Sequence, residues 1–234
     1  MASKGRILSI DIGGSKVKAT VLDSAGKLLE EYKRIATPTP STPVNVLKVI
    51  KALAANFTGY QKISVGFPGY VKRGVVYTAP NLGTEAWRNT HLEEKISKML
   101  GKPCKVVNDA DFQGVGIVSG KGLEMVVTLG TGFGTALLHD GVLLPHLELS
   151  QHPVNLAKKE NYDKYIGEKT LLKIGEAKWN KRVEKVLEIL KTVFNYDHLY
   201  ISGGNAKRIK FKLDKNITLA NNQDGIRGGA RLWK

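Results

Sequence analysis

The chain has 234 residues, of which 42% are hydrophobic and 24% charged, as is ordinary for a folded protein with a buried core. We expect neither a membrane span nor a signal peptide, because no apolar run approaches ~20 residues and no signal-type apolar segment precedes the first strand. The single cysteine, Cys104, excludes an internal disulfide and a multi-cysteine zinc site, and it favours a cytoplasmic protein. The net charge of +15 favours polyanionic partners, unless it only reflects a basic proteome.

The first predicted elements form an antiparallel meander around a glycine turn. Residues 6–12 predict a buried strand, residues 16–22 alternate as a returning strand, and residues 27–35 predict a third strand. The first turn reads Asp11-Ile12-Gly13-Gly14-Ser15-Lys16. Glycines let backbone N–H groups approach a phosphate, and a carboxylate can hold the Mg²⁺ that accompanies it. Taken alone, a Gly-Gly hairpin is more often only a hairpin.

Two further loops follow predicted strands in the first half of the chain. A helix begins at Pro43, a residue suited to a first helical turn, and residues 62–66 predict a strand that ends in Phe67-Pro68-Gly69. After a short hairpin comes the irregular segment Ala79-Pro80-Asn81-Leu82-Gly83. Loops at strand ends often carry ligand contacts, so both are candidate binding segments.

The central segment is Val106-Val107-Asn108-Asp109-Ala110-Asp111, an apolar strand that ends in polar residues. Open α/β sheets bind ligands at the carboxyl ends of their strands, so Asp109 could accept a proton from a hydroxyl that attacks phosphorus. The alternative is that Asn108 and Asp109 only cap the helix that begins near Ala110. From this segment alone, capping is the more frequent outcome.

The second half of the chain repeats the strand–glycine turn–strand pattern. Residues 124–129 predict a strand that ends in Gly130-Thr131-Gly132-Phe133-Gly134, and residues 135–139 return. The repetition predicts two similar lobes facing a cleft, residues 1–107 and 108–234, with the closing helix packed on the first lobe as an alternative. Helices are predicted over residues 163–174 and 178–194. The strand 198–202 is followed by Gly203-Gly204-Asn205 and then by an expected helix, whose N-terminus would suit a phosphate.

With these motifs in order, the chain resembles sugar kinases of the ROK family (repressors, open reading frames and kinases), and within it the polyphosphate glucokinase branch. Each motif is weak alone, whereas seven in order are specific. The motifs are Asp11-Ile12-Gly13-Gly14-Ser15-Lys16, Gly66-Phe67-Pro68-Gly69, Ala79-Pro80-Asn81-Leu82-Gly83, Asn108-Asp109-Ala110-Asp111, Leu129-Gly130-Thr131-Gly132-Phe133-Gly134, Glu148-Leu149 and Ile201-Ser202-Gly203-Gly204.

The resemblance implies an α/β fold of two actin-like, ribonuclease-H-like lobes around a central cleft. It implies a glucokinase that transfers a phosphoryl group from polyphosphate, ATP or both to the 6-hydroxyl of glucose, with Asp109 as the base. The implied sugar contacts are Asn81, Asn108, Asp109, Glu148 and His152. The implied donor contacts are Asp11, Gly13, Gly14, Ser15, Lys16, Gly130, Thr131, Gly132, Gly134, Gly203 and Gly204, with Asp11 also the implied protein ligand of Mg²⁺.

The sequence departs from the family pattern after Glu148-Leu149. Many members continue with Gly-His and a zinc-binding cysteine cluster, whereas this chain has Ser150-Gln151-His152 and no later cysteine. We therefore expect no zinc site, and either His152 or Gln151 takes the sugar contact. The polyphosphate branch also lacks those cysteines, which favours it.

Other activities within the family stay open. One alternative is an ATP-only kinase for mannose or an amino sugar, and another is a non-catalytic sugar-binding or regulatory protein. Regulators carry a helix-turn-helix ahead of the lobes, and since only about five residues precede the first strand we expect no specific nucleic-acid partner. The family suggests a homodimer. Cations that a polyphosphate could meet beyond the reach of ATP are Lys158, Lys159, Lys207, Arg208, Lys210 and Lys212.

Overall fold

The computed structural model describes residues 5–155, 159–220 and 225–233. By their internal contacts the residues form two compact units, Met1–Gly116 with Gln223–Lys234, and Ile117–Asn222. The sequence places a boundary after Val107, whereas these contacts group the helix that follows Asp109, and the last described residues, with the first unit. Among the described residues, no helix is both long and apolar enough to cross a membrane.

The first unit is built on a mixed five-stranded sheet. Its strands and helices up to the boundary are β1 (Ile7–Ile12), β2 (Lys16–Leu22), β3 (Lys33–Ala36), α1 (Pro43–Ala54), β4 (Lys62–Phe67), β5 (Val71–Lys72), β6 (Val75–Val76), α2 (Thr84–Trp87), β7 (Thr90–His91), α3 (Leu92–Leu100), β8 (Cys104–Asn108) and α4 (Asp109–Ile117). The sheet order is β3-β2-β1-β4-β8, in which β1, β4 and β8 are parallel and β2 and β3 antiparallel. A smaller sheet joins β5, β6 and β7.

The third strand is shorter than the sequence predicts. The predicted strand over residues 27–35 is a strand only from Lys33, apart from an isolated bridge between Leu22 and Leu28. The carbonyl of Glu30 accepts a hydrogen bond from the Thr20 hydroxyl at 2.6 Å instead of joining a strand ladder. This side-chain contact replaces regular pairing, and the chain rejoins the sheet a few residues later.

The second unit carries a sheet of the same design. Its elements are β9 (Leu123–Leu129), β10 (Phe133–His139), β11 (Val142–Leu143), β12 (Pro153–Asn155), β13 (Glu160–Asn161), α5 (Tyr162–Ile166), α6 (Glu168–Ile174), α7 (Glu176–Phe194), β14 (His198–Ser202) and β15 (Ile217–Leu219). The order β11-β10-β9-β14-β15 repeats that of the first sheet, with β9, β14 and β15 parallel and β10 and β11 antiparallel. The predicted similarity of the two lobes is confirmed at the level of strand order and direction.

Two helical predictions in the second unit need correction. The helix expected over residues 163–174 is divided into α5 and α6 at Gly167, whose backbone is extended and packs closely on the carbonyl of Asp163. After Gly203 and Gly204 the chain makes a short 3₁₀ turn, Ala206–Arg208, in place of the expected helix. The long helix α7 agrees with its prediction and buries Trp179, whose indole N–H donates to the carbonyl of Ile166 at 2.7 Å.

The last described helix, α8 (Gly228–Arg231), packs on β1 and β4 of the first unit. A β-carbon on Gly228 would collide with the carbonyl of Phe112, so glycine permits close packing of α8 against α4. The Trp233 indole N–H donates to the Ser64 hydroxyl at 2.8 Å, and that hydroxyl donates to the carbonyl of Gly229 at 2.6 Å. These contacts favour the alternative in which the closing segment belongs with the first lobe.

Candidate active site

Three predicted motifs of the first unit lie at one edge of its sheet. The strands β1, β4 and β8 are parallel, with Asp11 opposite Gly66, Gly66 opposite Val107, and Phe67 opposite Asn108. Their carboxyl ends therefore meet at the edge where open α/β sheets place ligands.

Asn108 is buried, and its amide joins two of these motifs. Its side-chain oxygen accepts hydrogen bonds from the backbone N–H groups of Ala110 at 2.8 Å and Asp111 at 3.4 Å. Its side-chain nitrogen donates to the carbonyl of Gly69 at 3.0 Å. Asn108 therefore caps helix α4 and ties it to the turn after β4, and the second amide hydrogen has no hydrogen bond among these contacts.

Asp109 is the first residue of α4 and is partly exposed. Its carboxylate accepts a hydrogen bond from the N–H of Ala110 at 2.9 Å. A carboxylate in a first helical turn is favoured by the helix dipole, which stabilises its ionised form. The side chain thus lies at the carboxyl edge of the sheet, in the first turn of the helix.

The first glycine turn packs against the loop that carries Asn81. The N–H of Gly13 donates to the carbonyl of Lys16 at 3.0 Å, and the Thr37 hydroxyl donates to the carbonyl of Gly13 at 2.6 Å. A β-carbon on Gly14 would lie 3.5 Å from the β-carbon of Asn81. Gly14, Ser15, Lys16 and Asn81 are exposed, so the structure brings the turn and the loop together with their polar groups accessible.

Asp11 lies beside this turn and is only partly accessible. Its carboxylate is 3.6 Å from the ammonium group of Lys18. Burial raises the pKa of Asp11, and the charge of Lys18 partly offsets this rise. Among the described residues, no group of three or more histidine, cysteine or acidic side chains could hold a metal ion. Mg²⁺ usually takes one or two carboxylates together with substrate phosphates, and Asp11 fits that arrangement as a single protein ligand.

The second glycine turn is held by an aspartate that the sequence did not single out. The N–H of Gly130 donates to the carbonyl of Gly132 at 3.1 Å, and the N–H of Phe133 donates to the carboxylate of Asp163 at 2.7 Å. Thr131 is exposed at the tip of the turn, and Gly134 already lies within β10. Burial raises the pKa of Asp163, partly offset by the N–H of Phe133.

Gly203 and Gly204 lie against this turn. Gly203 has φ +94°, and a β-carbon there would collide with the backbone of Leu129, so only glycine fits. The Asn205 side chain donates to the carbonyl of Gly130 at 3.3 Å. A β-carbon on Gly130 or on Gly204 would meet nothing within 4 Å. The two predicted donor segments of the second unit therefore meet, and both leave space beside a glycine Cα atom.

The carboxylate of Glu148 lies beside two polar side chains that no sequence motif indicated. The Ser150 hydroxyl donates to its carboxylate at 2.5 Å, and the Nε2 atom of the buried His146 lies 3.5 Å from the other carboxylate oxygen. The adjacent imidazole of His146 lowers the pKa of Glu148, burial opposes this, and the hydrogen bond from Ser150 adds to the lowering. Glu148 is therefore an ionised acceptor, and a histidine two residues before it was the signal that could have indicated the pair.

The two candidates after Glu148 have different surroundings. The Gln151 amide donates to the Ser150 hydroxyl at 3.1 Å, which links it to Glu148. His152 is exposed and stacks on the ring of Tyr162, with 5.9 Å between ring centroids. Lys158, a proposed polyphosphate contact, lies outside the described residues.

Comparisons with known proteins show the fold and the family of the chain. The fold is α/β with two actin-like lobes. The crystal structure of a ROK family glucokinase from Streptomyces griseus, in complex with glucose and AMPPNP, aligns with a TM-score of 0.80 and 20% sequence identity. The alignment covers 97% of this chain and 99% of that chain. The model of the ROK family matches residues 7–145, and the chain belongs to this family.

Two relatives are nearer in sequence. The chain is 33% identical over 229 residues to a polyphosphate glucokinase of Mycobacterium leprae (strain TN), covering 94% of this chain and 69% of that protein. The crystal structure of an inorganic polyphosphate/ATP-glucomannokinase from Arthrobacter sp. strain KM aligns with TM-score 0.84 and 28% identity, covering 97% of each chain. The resemblance to the polyphosphate glucokinase branch is confirmed.

Proposed function

We propose that this protein is a hexose kinase that transfers a phosphoryl group from polyphosphate or ATP to the 6-hydroxyl of glucose. The observation that carries the proposal is the position of Asp109 at the carboxyl edge of three parallel strands. It directly follows Asn108, whose side-chain amide is fixed by hydrogen bonds to Gly69 and Ala110. The names of the Mycobacterium and Arthrobacter relatives, which specify polyphosphate and glucose chemistry, support the same reaction.

In the proposed reaction Asp109 accepts the proton of the sugar hydroxyl while the hydroxyl oxygen attacks the terminal phosphorus of the donor. A new oxygen–phosphorus bond forms, and the bond to the rest of the donor breaks. The donor leaves as ADP or as a polymer shortened by one phosphate. Phosphoryl transfer depends on positioning and charge neutralisation more than on covalent chemistry, so the remaining groups serve mainly to hold the reactants.

The sugar is proposed to be held by hydrogen bonds with Asn81, Asn108, Glu148 and His152. Asn108 retains one amide hydrogen beyond its structural bonds, which a sugar hydroxyl can accept. Glu148 stays ionised and accepts hydrogen bonds from hydroxyl groups, with His146 and Ser150 orienting its carboxylate. A charged acceptor of this kind makes stronger hydrogen bonds than a neutral one.

The donor phosphates are proposed to bind the open backbone at the glycine segments. Gly14 is exposed in the turn beside Asp11. A β-carbon on Gly130 or on Gly204 would meet nothing within 4 Å, so both positions leave space for a phosphate. When bound, Mg²⁺ would neutralise phosphate charge, with Asp11 as its protein ligand. The pKa of Asp11 is raised because burial removes water from its carboxylate, and a bound cation would stabilise the ionised form.

Mannose is a second acceptor with specific support, because the Arthrobacter relative is named a glucomannokinase. The test is a coupled assay with glucose, mannose and glucosamine, each offered with ATP and with polyphosphate. The proposal expects turnover of glucose with both donors. Sugar binding without turnover by either donor would indicate a non-catalytic member of the family. We further propose a cytoplasmic homodimer, to be checked by fractionation and by light scattering.

A further inference from the structure

We infer that three lysines after the Gly203–Gly204 pair form a binding track for the polyphosphate chain beyond its reacting end. The track consists of Lys207, Lys210 and Lys212. The inference deepens the proposed function and depends on polyphosphate being a donor. Arg208 is not part of the track, because its guanidinium group is paired with Glu176.

The track begins where the donor segments meet. Gly203 packs on Leu129, and the Asn205 amide donates to the carbonyl of Gly130, the residue that opens the second glycine turn. The N–H of Ala206 then donates to the carbonyl of Gly203 at 3.1 Å. A polymer whose terminal phosphates lie on the backbone of Gly130 and Gly204 would therefore meet Lys207 directly along the chain.

The residues that follow alternate in exposure. Ile209, Phe211 and Leu213 pack against the core of the second unit, while Lys210 and Lys212 are exposed between them. The apolar side chains thus fix the segment to the protein and leave a row of ammonium groups in solvent.

The buried side chain of Asn180 holds this segment to helix α7. Its oxygen accepts from the N–H of Lys210 at 2.7 Å, and its nitrogen donates to the carbonyl of Arg208 at 3.0 Å and to that of Glu176 at 2.9 Å. The backbone that carries the lysines is therefore ordered before any ligand binds. Less ordering entropy is lost on binding, which favours affinity.

The acidic side chains near the track are paired with cations outside it. Arg208 forms an ion pair with Glu176, and Asp214 forms one with Lys191 at 2.7 Å. Within the described parts of the chain, none of the three track lysines forms an ion pair. Their positive charges stay available, and the neighbouring carboxylates that would repel an anion are occupied.

A polyanion that meets several lysines releases counterions, so its affinity falls steeply with salt. ATP ends at three phosphates and is held by backbone and Mg²⁺ in the proposed site, so the track should contribute little to its binding. Longer polymers reach more of the track, and we expect KM for polyphosphate to fall as polymer length increases until the track is filled.

The test is the triple variant K207Q/K210Q/K212Q, compared with K51Q/K95Q/K102Q, which removes the same charge from exposed lysines of the first unit. KM and kcat are measured with long-chain polyphosphate and with ATP across salt concentrations, after thermal unfolding shows that both variants are folded. We expect the track variant to raise KM for polyphosphate about tenfold or more at low salt and to reduce the slope of log KM against log salt by about 2. Its ATP kinetics should stay within twofold of wild type.

An equal rise in polyphosphate KM for both variants would overturn the track, because it would show only a general charge effect. Wild-type turnover with ATP but not with polyphosphate would overturn the track together with the donor assignment. Wild-type turnover with polyphosphate and an unaffected track variant would overturn the track alone. A track variant that loses affinity for single-stranded nucleic acid while keeping its polyphosphate KM would assign these lysines to another polyanion.

Discussion

The side-chain oxygen of Asn108 accepts the backbone N–H of Ala110 at 2.8 Å, and this contact places the helix cap on Asn108. The same amide reaches Gly69, so the cap is also the link between helix α4 and the turn after β4. Capping and catalysis are therefore not alternatives at this segment. The cap fixes the first turn of the helix, and the carboxylate of Asp109 is positioned by it.

The glycines of the second unit make a matched test of donor binding. We expect Gly204→Ala to change the free energy of unfolding by less than about 0.5 kcal/mol, because a β-carbon there meets nothing within 4 Å. It should nevertheless raise KM for the donor by up to about tenfold, since the methyl group occupies the space of a phosphate and weakens its hydrogen bond. Donor KM and urea unfolding are measured on the same preparation.

Gly203→Ala is the contrasting variant. At this position φ is +94° and an added β-carbon would collide with the backbone of Leu129. We expect the alanine to lower the free energy of unfolding by about 1–3 kcal/mol or more. A Gly204→Ala protein with wild-type donor kinetics would remove Gly204 from the donor site.

Glu148 should give the fold a pH-dependent stability. Its pKa is lowered from 4.5 in the folded protein, so its ionised form stabilises the fold above the unfolded pKa and this contribution is lost as pH falls through the folded pKa. We expect the difference in unfolding free energy between wild type and Glu148→Gln to be largest near neutral pH and to shrink below about pH 4.5. Denaturant unfolding at several pH values measures it, with Ser150→Ala as an intermediate case. A difference that stays constant with pH would mean that the contacts of His146 and Ser150 do not favour the ionised carboxylate.

The sugar contact after Glu148 can be assigned by two alanine variants. We expect His152→Ala to raise KM for glucose severalfold while kcat changes little, since a lost neutral hydrogen bond is worth about 1 kcal/mol. Gln151→Ala tests the neighbouring position, whose amide is bonded to Ser150. If KM rises only in Gln151→Ala, the contact belongs to Gln151 and the placement of the histidine is wrong.

Regular elements with strong local signals were predictable from the sequence. The two glycine hairpins and the apolar stripe of α7 follow from periodicity and turn chemistry, and the repeated pattern led to two similar sheets. The end of β8 was also predicted, because an apolar run that stops at Asn108 is visible without any tertiary information.

The features that escaped prediction depend on contacts between distant residues. The third strand is shortened by a bond from Thr20 to Glu30, and the second glycine turn is held by Asp163, thirty residues from Phe133. His146 had no visible role until its ring was found beside Glu148. No local pattern encodes such pairs, because each residue alone is compatible with an ordinary surface position.

The direct test of the proposed reaction is the turnover of Asp109→Asn with glucose and saturating donor, measured beside glucose affinity by calorimetry. The asparagine keeps the size of the side chain and can still accept the Ala110 N–H, but it cannot take a proton. We predict that kcat falls by roughly 10²–10⁴, the usual contribution of a general base, while glucose affinity stays within a few-fold of wild type. A variant that keeps kcat within threefold of wild type would contradict the assignment of Asp109 as the base.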